Sequence, residues 1–399
     1  MYLTSLSITN FRLFSRLEVN IPRRSLLLIG ENAQGKTSFL EAIHFFSTLS
    51  SLHAQNNREL INFLILKENI PVSRLIAEFE RKDGKHKMEI RLILDPGTNG
   101  TGRLRKEILV DGIKFNQQSA IGQFYSVVFL PQMMRILEGG PEDRRRFLDH
   151  VLCQAFPGYA KDLNDYGLIL SQRNALLKQL AERNGDLEQL QYWDEILTNH
   201  GAKIIYSRIR AVQEIEILAQ NEHKNLTNEM ESLHLIYLPA YDPIYENSAQ
   251  LSLTASLSSR RDHFSIDEIR DGFIKKLIGM RKEEIKRGMT TIGPHRDDFR
   301  AVSNGIDLGI YGSRGQIRSA ILSLKLAETD WLKEKTGECP VLLLDEILAE
   351  LDMKRRLDLL RTLADCDQAV MTTTDLHLFP ADFTDHCTIW EIQSGKLIQ

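Results

Sequence analysis

A glycine-rich loop near the N-terminus constrains the fold of this chain more than any other feature. Residues 30–37 read GENAQGKT and fit the pattern G-x-x-x-x-G-K-[ST]. An unbroken apolar run, residues 26–29, precedes the loop, as expected of a strand that is covered on both faces. After the loop, apolar residues recur at helical spacing: Phe39, Ala42, Ile43 and Phe46. The order strand, loop and helix predicts a phosphate-binding loop, to which the helix N-terminus adds its partial positive charge.

The residue types within this loop suit the phosphates of a nucleotide. Glycines let backbone N–H groups turn inward, Lys36 can reach the outer phosphates, and the Thr37 hydroxyl can hold Mg²⁺. Because of its reach, Lys36 is also a catalytic candidate. The candidate nucleotide ligands are all eight residues of the loop: Gly30, Glu31, Asn32, Ala33, Gln34, Gly35, Lys36 and Thr37.

An acidic pair near the C-terminus is a candidate for the second half of a nucleotide site. The apolar run 341–344 ends in Asp345 and Glu346. At the carboxyl end of a buried strand, Asp345 can hold the Mg²⁺ shell and Glu346 can orient and deprotonate the attacking water. Asp352 offers a further carboxylate near the phosphates. The alternative for such a pair is an ordinary acidic turn.

Two further segments offer polar groups to a nucleotide. Ser313, Gly315 and Gln316 stand immediately before an apolar-faced helix, where small residues let backbone amides approach an anion closely. The alternative is a flexible loop that Ser313 caps. Gln132, after the apolar run 127–130, is a candidate sensor of metal or water, with a solvated loop glutamine as the alternative.

Composition narrows the class of protein without assigning a task. A chain of 399 residues with 42% hydrophobic content is long enough for two or three globular domains. No apolar run approaches the roughly 20 residues that cross a bilayer, and the first residues lack the apolar core of a secretory signal. The four cysteines have no CxxC spacing, which favours reduced thiols in a cytoplasmic protein. The net charge of −4 neither supports nor excludes nucleic-acid binding.

The middle and the end of the chain differ in their sequence patterns. Between Pro157 and Pro239 there is no proline, and apolar residues at helical spacing predict two helices, which a tight turn near Asn184 makes antiparallel. Asp186 can cap the second of them. In the last hundred residues, short apolar runs at 341–344 and 369–371 flank a helical pattern, and this alternation predicts a parallel sheet.

Ordered motifs over essentially the full length resemble those of the RecF recombination-mediator family. They are NFR at 10–12, GENAQGKTSFLEAI at 30–43, PEDRRRFLD at 141–149, QRNALLK at 172–178, WDEIL at 193–197, IGPHRDD at 292–298, SRGQIR at 313–318, LKLAE at 324–328 and LLLDEILAELD at 342–352. The resemblance implies an α/β fold, a P-loop ABC-type ATPase head with a mixed-sheet core plus an inserted helical lobe. It divides the chain into an N-terminal ATPase part with the phosphate loop (1–152), a helical lobe (153–290) and a C-terminal ATPase part with the signature and acidic motifs (291–399).

The resemblance also implies an activity and partners. ATP with Mg²⁺ would lie between Lys36 of one protomer and Ser313, Gly315 and Gln316 of another, so that ATP closes a homodimer and hydrolysis releases it. Arg12 would lie near the phosphates. The closed dimer would bind DNA at single-strand/duplex junctions without reading sequence, with a weak DNA-stimulated ATPase. With RecR and RecO it would help to load RecA and support replication and the SOS response.

Clustered arginines are the candidates for DNA phosphate contacts. They are Arg144, Arg145, Arg260 and Arg261. A run of charges is more often a solvated face, and that alternative stays open. Two other functions also remain: a nucleotide-gated module that recruits RecR-like partners with little hydrolysis, and the ATPase subunit of a transporter. Residues 373–375 are Thr-Thr-Asp where a transporter ATPase would carry a histidine, which disfavours the last function.

Overall fold

The computed structural model describes residues 1–54, 56–67, 70–95, 102–183, 186–244, 261, 263–364 and 366–398. Their contacts divide the chain into two compact units, Met1–Met133 with Glu328–Gln399, and Met134–Ala327. None of the helices described is long and apolar enough to cross a membrane. The segment boundaries at 152 and 290 that the family resemblance implies stay a prediction.

The first unit is built on two six-stranded sheets. Its strands, in chain order, are β1 (Tyr2–Phe11), β2 (Phe14–Asn20), β3 (Ser25–Ile29), β4 (Val72–Arg81), β5 (Gly84–Asp95), β6 (Arg103–Val110), β7 (Ile113–Phe115), β8 (Ser126–Phe129), β12 (Val341–Asp345), β13 (Ala369–Thr373), β14 (Thr388–Gln393) and β15 (Lys396–Ile398). One sheet is antiparallel, in the order β2-β1-β4-β5-β6-β7. Asp111 and Gly112 join β6 to β7 with positive φ at both positions, as a two-residue hairpin turn requires.

The second sheet positions the nucleotide loop. Its order is β15-β14-β3-β13-β12-β8, and β14, β3, β13, β12 and β8 run parallel, which confirms the parallel sheet predicted from the alternating pattern. The apolar runs form its buried strands, because side chains covered on both faces need no polar alternation. Since β3 and β12 both lie beside β13, the loop after β3 and the acidic pair at the end of β12 emerge at one edge of the sheet.

The helices of the first unit complete its core. They are α1 (Lys36–Thr48), α2 (Gln117–Ala120), α10 (Met353–Ala364) and α11 (Ala381–Thr384). Helix α1 follows the glycine loop and contacts strands of both sheets. Its Phe39, Phe45 and Phe46 are fully buried in one continuous apolar core with residues of β1, β3 and β12. This packing fixes the start of α1, and so the loop before it, against the parallel sheet.

The second unit is mainly helical. Its elements are α3 (Arg135–Glu138), α4 (Pro141–Ala155), α5 (Tyr159–Arg183), α6 (Gln189–Thr227), β9 (Leu233–Leu238), α7 (Ile266–Arg287), β10 (Asp298–Ser303), β11 (Ile306–Asp307), α8 (Leu308–Tyr311) and α9 (Arg314–Thr336), whose last turns belong to the first unit. Helices α5, α6 and α7 pack on one another, and the three strands form an antiparallel sheet in the order β11-β10-β9.

The predicted pair of long helices is confirmed. Contacts of Asp162 with His200 and of Arg173 with Asp194 run in opposite chain directions, so α5 and α6 are antiparallel. The predicted turn at Asn184 lies outside the described residues. Asp186 does not cap α6: the residue before the helix is Glu188, and the Asp186 carboxylate accepts the backbone N–H of Glu188 at 2.8 Å.

Buried ions hold the three helices together. Arg173 of α5 is fully buried and donates to Asp194 of α6 at 2.7 Å and to Thr290 at 2.7 Å. Its guanidinium also lies 2.7 Å from a carboxylate oxygen of Glu284 on α7. Arg281 of α7 donates to the second oxygen of Asp194. Charges withdrawn from water are tolerated only when they are paired and hydrogen-bonded, so this cluster specifies how the helices meet.

The segment 292–298, whose role the sequence left open, anchors the second unit. Asp297 is buried and accepts hydrogen bonds from Arg208 of α6, from the Tyr237 hydroxyl of β9 and from the backbone N–H of Ala240. Burial raises the pKa of Asp297. Gly293 has φ of 122°, and a Cβ there would lie 2.5 Å from the Tyr166 hydroxyl, so only glycine fits. The motif therefore stabilises the packing of elements within the helical unit.

Candidate nucleotide site

The loop 30–37 has the backbone of a phosphate-binding turn. Gly30 and Gly35 have φ of 154° and 113°, and a Cβ on Gly30 would stand 2.4 Å from the Ile392 carbonyl oxygen. Both positions thus favour glycine for their conformation, and Gly30 also needs it for the close approach of β14. Glu31, Asn32 and Ala33 are exposed at the tip of the loop. Gly35 is the residue directly before Lys36, the first residue of α1. The tip therefore presents its polar groups to solvent at a helix N-terminus.

The turn between β14 and β15 holds the loop from behind. The Gln34 side-chain oxygen accepts the backbone N–H of Ser394 at 2.6 Å, and the Gln34 carbonyl accepts the N–H of Gly395 at 3.0 Å. Because the carbonyl end of the Gln34 amide is used inside the chain, this residue shapes the loop in addition to any ligand contact. The prediction that Gln34 is a nucleotide ligand stays untested.

Lys36 is folded back into the loop. Its Nζ donates to the carbonyl oxygens of Gly30 at 2.7 Å and Glu31 at 2.9 Å, and lies 3.1 Å from a carboxylate oxygen of Glu346. The Lys36 side chain is only 4% exposed, whereas that of Glu346 is 36% exposed. Three oxygens thus occupy the three N–H donors of the ammonium, so a phosphate that binds to Lys36 has to replace one of them.

Thr37 and Asp345 bring oxygen donors together at the carboxyl ends of the strands. The Thr37 hydroxyl lies 2.8 Å and 3.0 Å from the two oxygens of Asp345. Thr372, at the end of the neighbouring strand β13, donates to Asp345 at 2.8 Å and accepts the backbone N–H of Glu346 at 3.0 Å. Hydroxyl and carboxylate oxygens are the hard donors that Mg²⁺ prefers, so these residues fit a Mg²⁺ that arrives with nucleotide phosphates.

Glu346 has a strained backbone. Its φ is 51°, in the left-handed region that few residues other than glycine adopt. The strand ends at Asp345, and the hydrogen bond from the Glu346 N–H to Thr372 holds the turn in place. Strain of this kind persists only where the surroundings impose it, and it gathers at functional sites. The conformation aims the Glu346 carboxylate at the Lys36 ammonium.

Arg12 lies against α1. Its guanidinium forms two hydrogen bonds with the Glu41 carboxylate, at 2.8 Å and 3.1 Å. Burial alone would raise the pKa of Glu41, but the hydrogen bonds from Arg12 and Ser51 outweigh it and hold that pKa below its ordinary value. Arg12 is 23% exposed and has φ of 50°. Its predicted place near the phosphates stays a prediction.

The two remaining candidates of the first unit differ in their surroundings. Asp352 precedes α10 and accepts the backbone N–H of Arg355 at 3.0 Å, and this bond lowers the pKa of Asp352. It therefore acts as a helix cap, a role that leaves its exposed carboxylate charged. Gln132 is exposed on a single turn of 3₁₀ helix, Pro131–Met134, directly after β8. Neither position tests the nucleotide contact predicted for it.

The motif 313–316 opens helix α9 in the second unit. The Ser313 hydroxyl accepts the N–H of Gln316 at 3.3 Å, and the Gln316 side-chain oxygen accepts the N–H of Ser313 at 3.1 Å. These reciprocal bonds make the start of the helix rigid. Among the described residues, a Cβ added to Gly315 would meet only the Ser313 hydroxyl, at 4.0 Å. Packing against these residues therefore gives no reason for glycine at this position.

Burial contradicts two of the predicted DNA contacts. Arg144 is 2% exposed and forms two hydrogen bonds with Asp298, at 2.6 Å and 3.0 Å, and another with the Gly139 carbonyl at 2.8 Å. Arg261 is 5% exposed and is paired with Asp242. Both guanidinium groups are used inside the chain, so neither is available to phosphates at the surface. Arg145 is half-buried and donates to the Asp297 carbonyl at 2.7 Å, and Arg260 lies outside the described residues.

Two residues of the site were not predicted from the sequence. Thr372 fixes both members of the acidic pair, and Glu41 holds Arg12. The only sequence signal for Thr372 is a hydroxyl residue directly after the apolar run 369–371. That signal identifies the position only when β13 is known to be the neighbour of β12. Glu41 carries no such signal, because it stands within the helical pattern of α1.

Comparison of the sequence with known proteins places it in one family. The model of the RecF/RecN/SMC N-terminal domain family matches residues 2–382. A protein of Halothermothrix orenii, described as DNA replication and repair protein RecF, is 35% identical over 398 residues, covering 100% of this chain and 98% of its own. A protein of Chloroflexus aggregans with the same description is 35% identical over 408 residues, covering 100% and 99%.

Solved structures agree with the sequence relatives. A structure described as the recombination mediator protein RecF-ATPrS in the RecFOR pathway superposes with a TM-score of 0.83 at 30% identity, covering 99% of this chain and 97% of its own. An Smc head bound to the C-winged helix domain of ScpA gives a TM-score of 0.52 at 13% identity, covering 100% and 97%. The second likeness concerns the fold alone, and with the first it confirms the predicted ABC-type ATPase head. The chain belongs to the RecF family.

Proposed function

We propose that this chain is an ATP-dependent DNA-binding protein of recombinational repair and replication-fork maintenance, acting in the cytoplasm. ATP closes two copies into a dimer, the closed dimer binds gapped DNA at single-strand/duplex junctions, and slow DNA-stimulated hydrolysis opens it. With RecR- and RecO-like partners it supports RecA loading and the SOS response. The segments 1–152 and 291–399 form the ATPase head and 153–290 the helical lobe. The full-length relatives described as DNA replication and repair proteins support this assignment.

One observation carries the enzymatic part of the proposal. Two close pairs, Lys36 with Glu346 and Thr37 with Asp345, bring distant parts of the chain together at one edge of the parallel sheet. Lys36 would bind the outer phosphates, and Thr37 with Asp345 would hold Mg²⁺. That ion, when bound, neutralises charge on the phosphate oxygens. Glu346 would orient the attacking water and accept its proton.

The Lys36–Glu346 ion pair supports an order of events. Glu346 and a phosphate are both anions that can lie beside the Lys36 ammonium. A phosphate at Lys36 would therefore compete with the Glu346 carboxylate and release it. Glu346, more exposed than Lys36 and held in a strained turn, would then face the water next to the outer phosphate. Binding and activation of the base are thus coupled through one lysine.

The start of α9 supports the dimer. Ser313 and Gln316 form a rigid helix N-terminus, and Gly315 leaves its surface open to an anion. Just before it, Ile310 and Tyr311 are 60% and 76% exposed. Adjacent large apolar side chains in solvent are typical of a surface that a partner covers. A second copy that brings its phosphate loop to this surface would meet both the anion site and the apolar rim.

The experiment that tests the proposal is Glu346→Gln. The amide keeps the size of the side chain but cannot accept the proton of water, so hydrolysis should fall about 100-fold or more. ATP binding should persist, and sedimentation at saturating ATP should show a stable dimer. Glu18→Gln, an exposed carboxylate on β2, is the control and should behave as the wild type. A Glu346→Gln protein that stays monomeric with ATP bound would contradict the shared site.

A second candidate function retains the ATP-dependent switch but involves little ATP hydrolysis. Residues 373–375 form a closed turn, with Thr373 and Asp375 hydrogen-bonded to each other at 2.9 Å and 3.0 Å, in place of the histidine of transporter ATPases. This favours a nucleotide-gated module that recruits RecR-like partners with little hydrolysis. Gel shifts on gapped DNA with ATP and with a non-hydrolysable analogue, beside steady-state phosphate release, separate the two functions. Equal DNA binding with both nucleotides and no phosphate release would select the module.

A further inference from the structure

Two of the four cysteines lie side by side at the edge of the parallel sheet away from the nucleotide loop. Strands β12 and β13 are parallel neighbours in which Leu342 stands opposite Ala369. Cys339 and Cys366 each lie three residues before these partners, so they fall into the same register. The Cys366 thiol donates to the Thr362 carbonyl oxygen at 3.5 Å, and its sulfur lies close enough to Cys339 for each thiol to shift the pKa of the other. The topology thus joins two residues that sequence spacing did not connect.

The two thiols have opposite protonation tendencies. The interaction with Cys366 outweighs burial and, with the backbone N–H of Asp367, lowers the pKa of Cys339 to about 6. The same interaction, with burial, raises the pKa of Cys366. The pair therefore favours a thiolate at Cys339 beside a thiol at Cys366. The thiolate is the reactive form of cysteine toward oxidants.

A cleft gives small oxidants access to Cys366, the more exposed member of the pair. Cys366 lines a cleft of about 880 Å³, together with Arg24, Arg361, His386 and Cys387. Cys366 is half-buried at this surface, whereas Cys339 is 8% exposed and is not one of the residues that line the cleft. A molecule the size of hydrogen peroxide can enter such a cleft, whereas a protein thiol on another chain cannot easily reach Cys339. The arrangement favours a bond within the chain over one between chains.

We propose that Cys339 and Cys366 form an oxidation site that a peroxide converts into an intramolecular disulfide. The Cys339 thiolate attacks one peroxide oxygen, the O–O bond breaks, and hydroxide leaves, so that Cys339 becomes a sulfenic acid. The Cys366 sulfur then attacks the Cys339 sulfur, the S–O bond breaks, and the oxygen leaves as water with the Cys366 proton. In total, two thiols and one hydrogen peroxide give one disulfide and two waters.

The disulfide would close a loop that contains the catalytic acidic pair. Residues 339–366 include β12 with Asp345, the turn at Glu346, and helix α10 after Asp352. Joining the ends of this segment restricts its opening, because a cross-link removes open conformations from the ensemble. Oxidation should therefore slow amide hydrogen exchange in α10. The site would make the mobility of the hydrolytic segment dependent on the redox state.

The test oxidises the full-length protein with hydrogen peroxide and maps its cysteines. We expect two alkylatable thiols to disappear together, a peptide that joins Cys339 to Cys366, and full recovery with a dithiol reductant. The double variant Cys153→Ser with Cys387→Ser should still form the bond. Cys339→Ser and Cys366→Ser should each abolish it.

Three results would overturn the proposal. They are a bond between Cys366 and Cys387 across the cleft, a sulfinic acid at either residue without a cross-link, and a bond between two chains. If Cys339→Ser does not fold, the peptide map of the wild type and the half-buried Cys366→Ser variant decide the question without it. Unchanged hydrogen exchange in α10 after complete cross-linking would overturn the claim that the disulfide restricts the opening of residues 339–366.

Discussion

Lys36 shows at the scale of one residue how a side chain can be held in place for the phosphate binding that we propose. The ammonium is almost fully buried, and two backbone carbonyls and the Glu346 carboxylate compensate for its lost hydration. The carbonyl bonds lie within the loop, whereas the Glu346 carboxylate is 36% exposed and can turn to solvent. The lysine is thus held in position before the ligand arrives, which reduces the entropy lost on binding.

Replacing Lys36 should remove nucleotide binding without unfolding the chain. Lys36→Ala leaves Glu346 without its cation, but that carboxylate can be hydrated because it is 36% exposed. The lost charge-assisted contact should weaken ATP binding by at least about 2 kcal/mol, or about 30-fold. Isothermal titration with ATP measures the loss, and Lys114→Ala, an exposed lysine on β7, is the control. Wild-type affinity in Lys36→Ala would contradict the role given to the loop.

At the scale of elements, His295 makes the helical unit sensitive to acid. Its Nδ1 accepts the Tyr166 hydroxyl at 2.7 Å, and its Nε2 faces the Thr290 carbonyl at 3.3 Å, so the bonds suit the neutral ring. Burial, with the nearby charges of Arg296, Arg145 and Arg208, lowers the pKa of His295 to about 4. Between that value and the ordinary histidine pKa of about 6.5, the unfolded chain binds a proton that the folded chain does not.

The stability of the unit should therefore fall as the pH drops from about 6.5 toward about 4. Since His295 is partly exposed, we expect a loss of about 1–2 kcal/mol at about pH 5 relative to neutral pH. Urea unfolding at the two pH values, followed by hydrogen exchange in α5 and α6, measures it. His295→Gln should reduce the pH dependence without abolishing it, because burial also lowers the pKa of His150 in the same unit to about 4. His263→Gln, at an exposed histidine, should leave the pH dependence unchanged. If the free energy of unfolding depends on pH equally in the wild type and in His295→Gln, another group is responsible for the loss of stability in acid.

Asp297 is the acceptor that ties α6 and β9 to the segment 292–298. Asp297→Asn replaces one of its two carboxylate oxygens by a donor, so Arg208 and the Tyr237 hydroxyl lose their shared acceptor in a buried place. We expect a loss of about 3 kcal/mol in the stability of the helical unit. Denaturation followed by the fluorescence of Trp193 on α6 measures it. Asp267→Asn, exposed in the first turn of α7, should change stability by less than about 0.5 kcal/mol.

The same scale explains what the sequence could predict. The glycine loop, the acidic pair and the parallel sheet are local patterns, so residues 30–37 and 341–346 were sufficient to predict them. The inward turn of Arg144 depends on Asp298, 154 residues away, and no local pattern on α4 indicates that partner. Thr372 likewise acquires its role only through strand order. Long-range pairing of polar groups was the part of the fold that sequence alone could not supply.

For the whole molecule, the distribution of exposed groups is more informative than the total charge. The chain is nearly neutral, and two of the arginines expected on a DNA-binding face are buried in ion pairs. Within the part of the chain that the structure describes, the start of α9, with its open glycine and its exposed Ile310 and Tyr311, is one surface that packing inside one copy does not explain. The dimer that we propose would cover it.

Gly315→Ala tests whether glycine at this position serves the fold of one chain or the ATP-dependent dimer. Within one chain the new Cβ meets open space, and alanine in place of a helical glycine should add about 0.5–1 kcal/mol of stability. If Gly315 faces a triphosphate and a second copy, the same methyl group should weaken ATP-dependent dimerisation about 10-fold or more. Gly279→Ala is the matched control, because Gly279 is also a helical glycine with open space around it. A stabilised Gly315→Ala protein that dimerises with ATP as well as Gly279→Ala does would mean that the start of α9 lies outside the dimer contact.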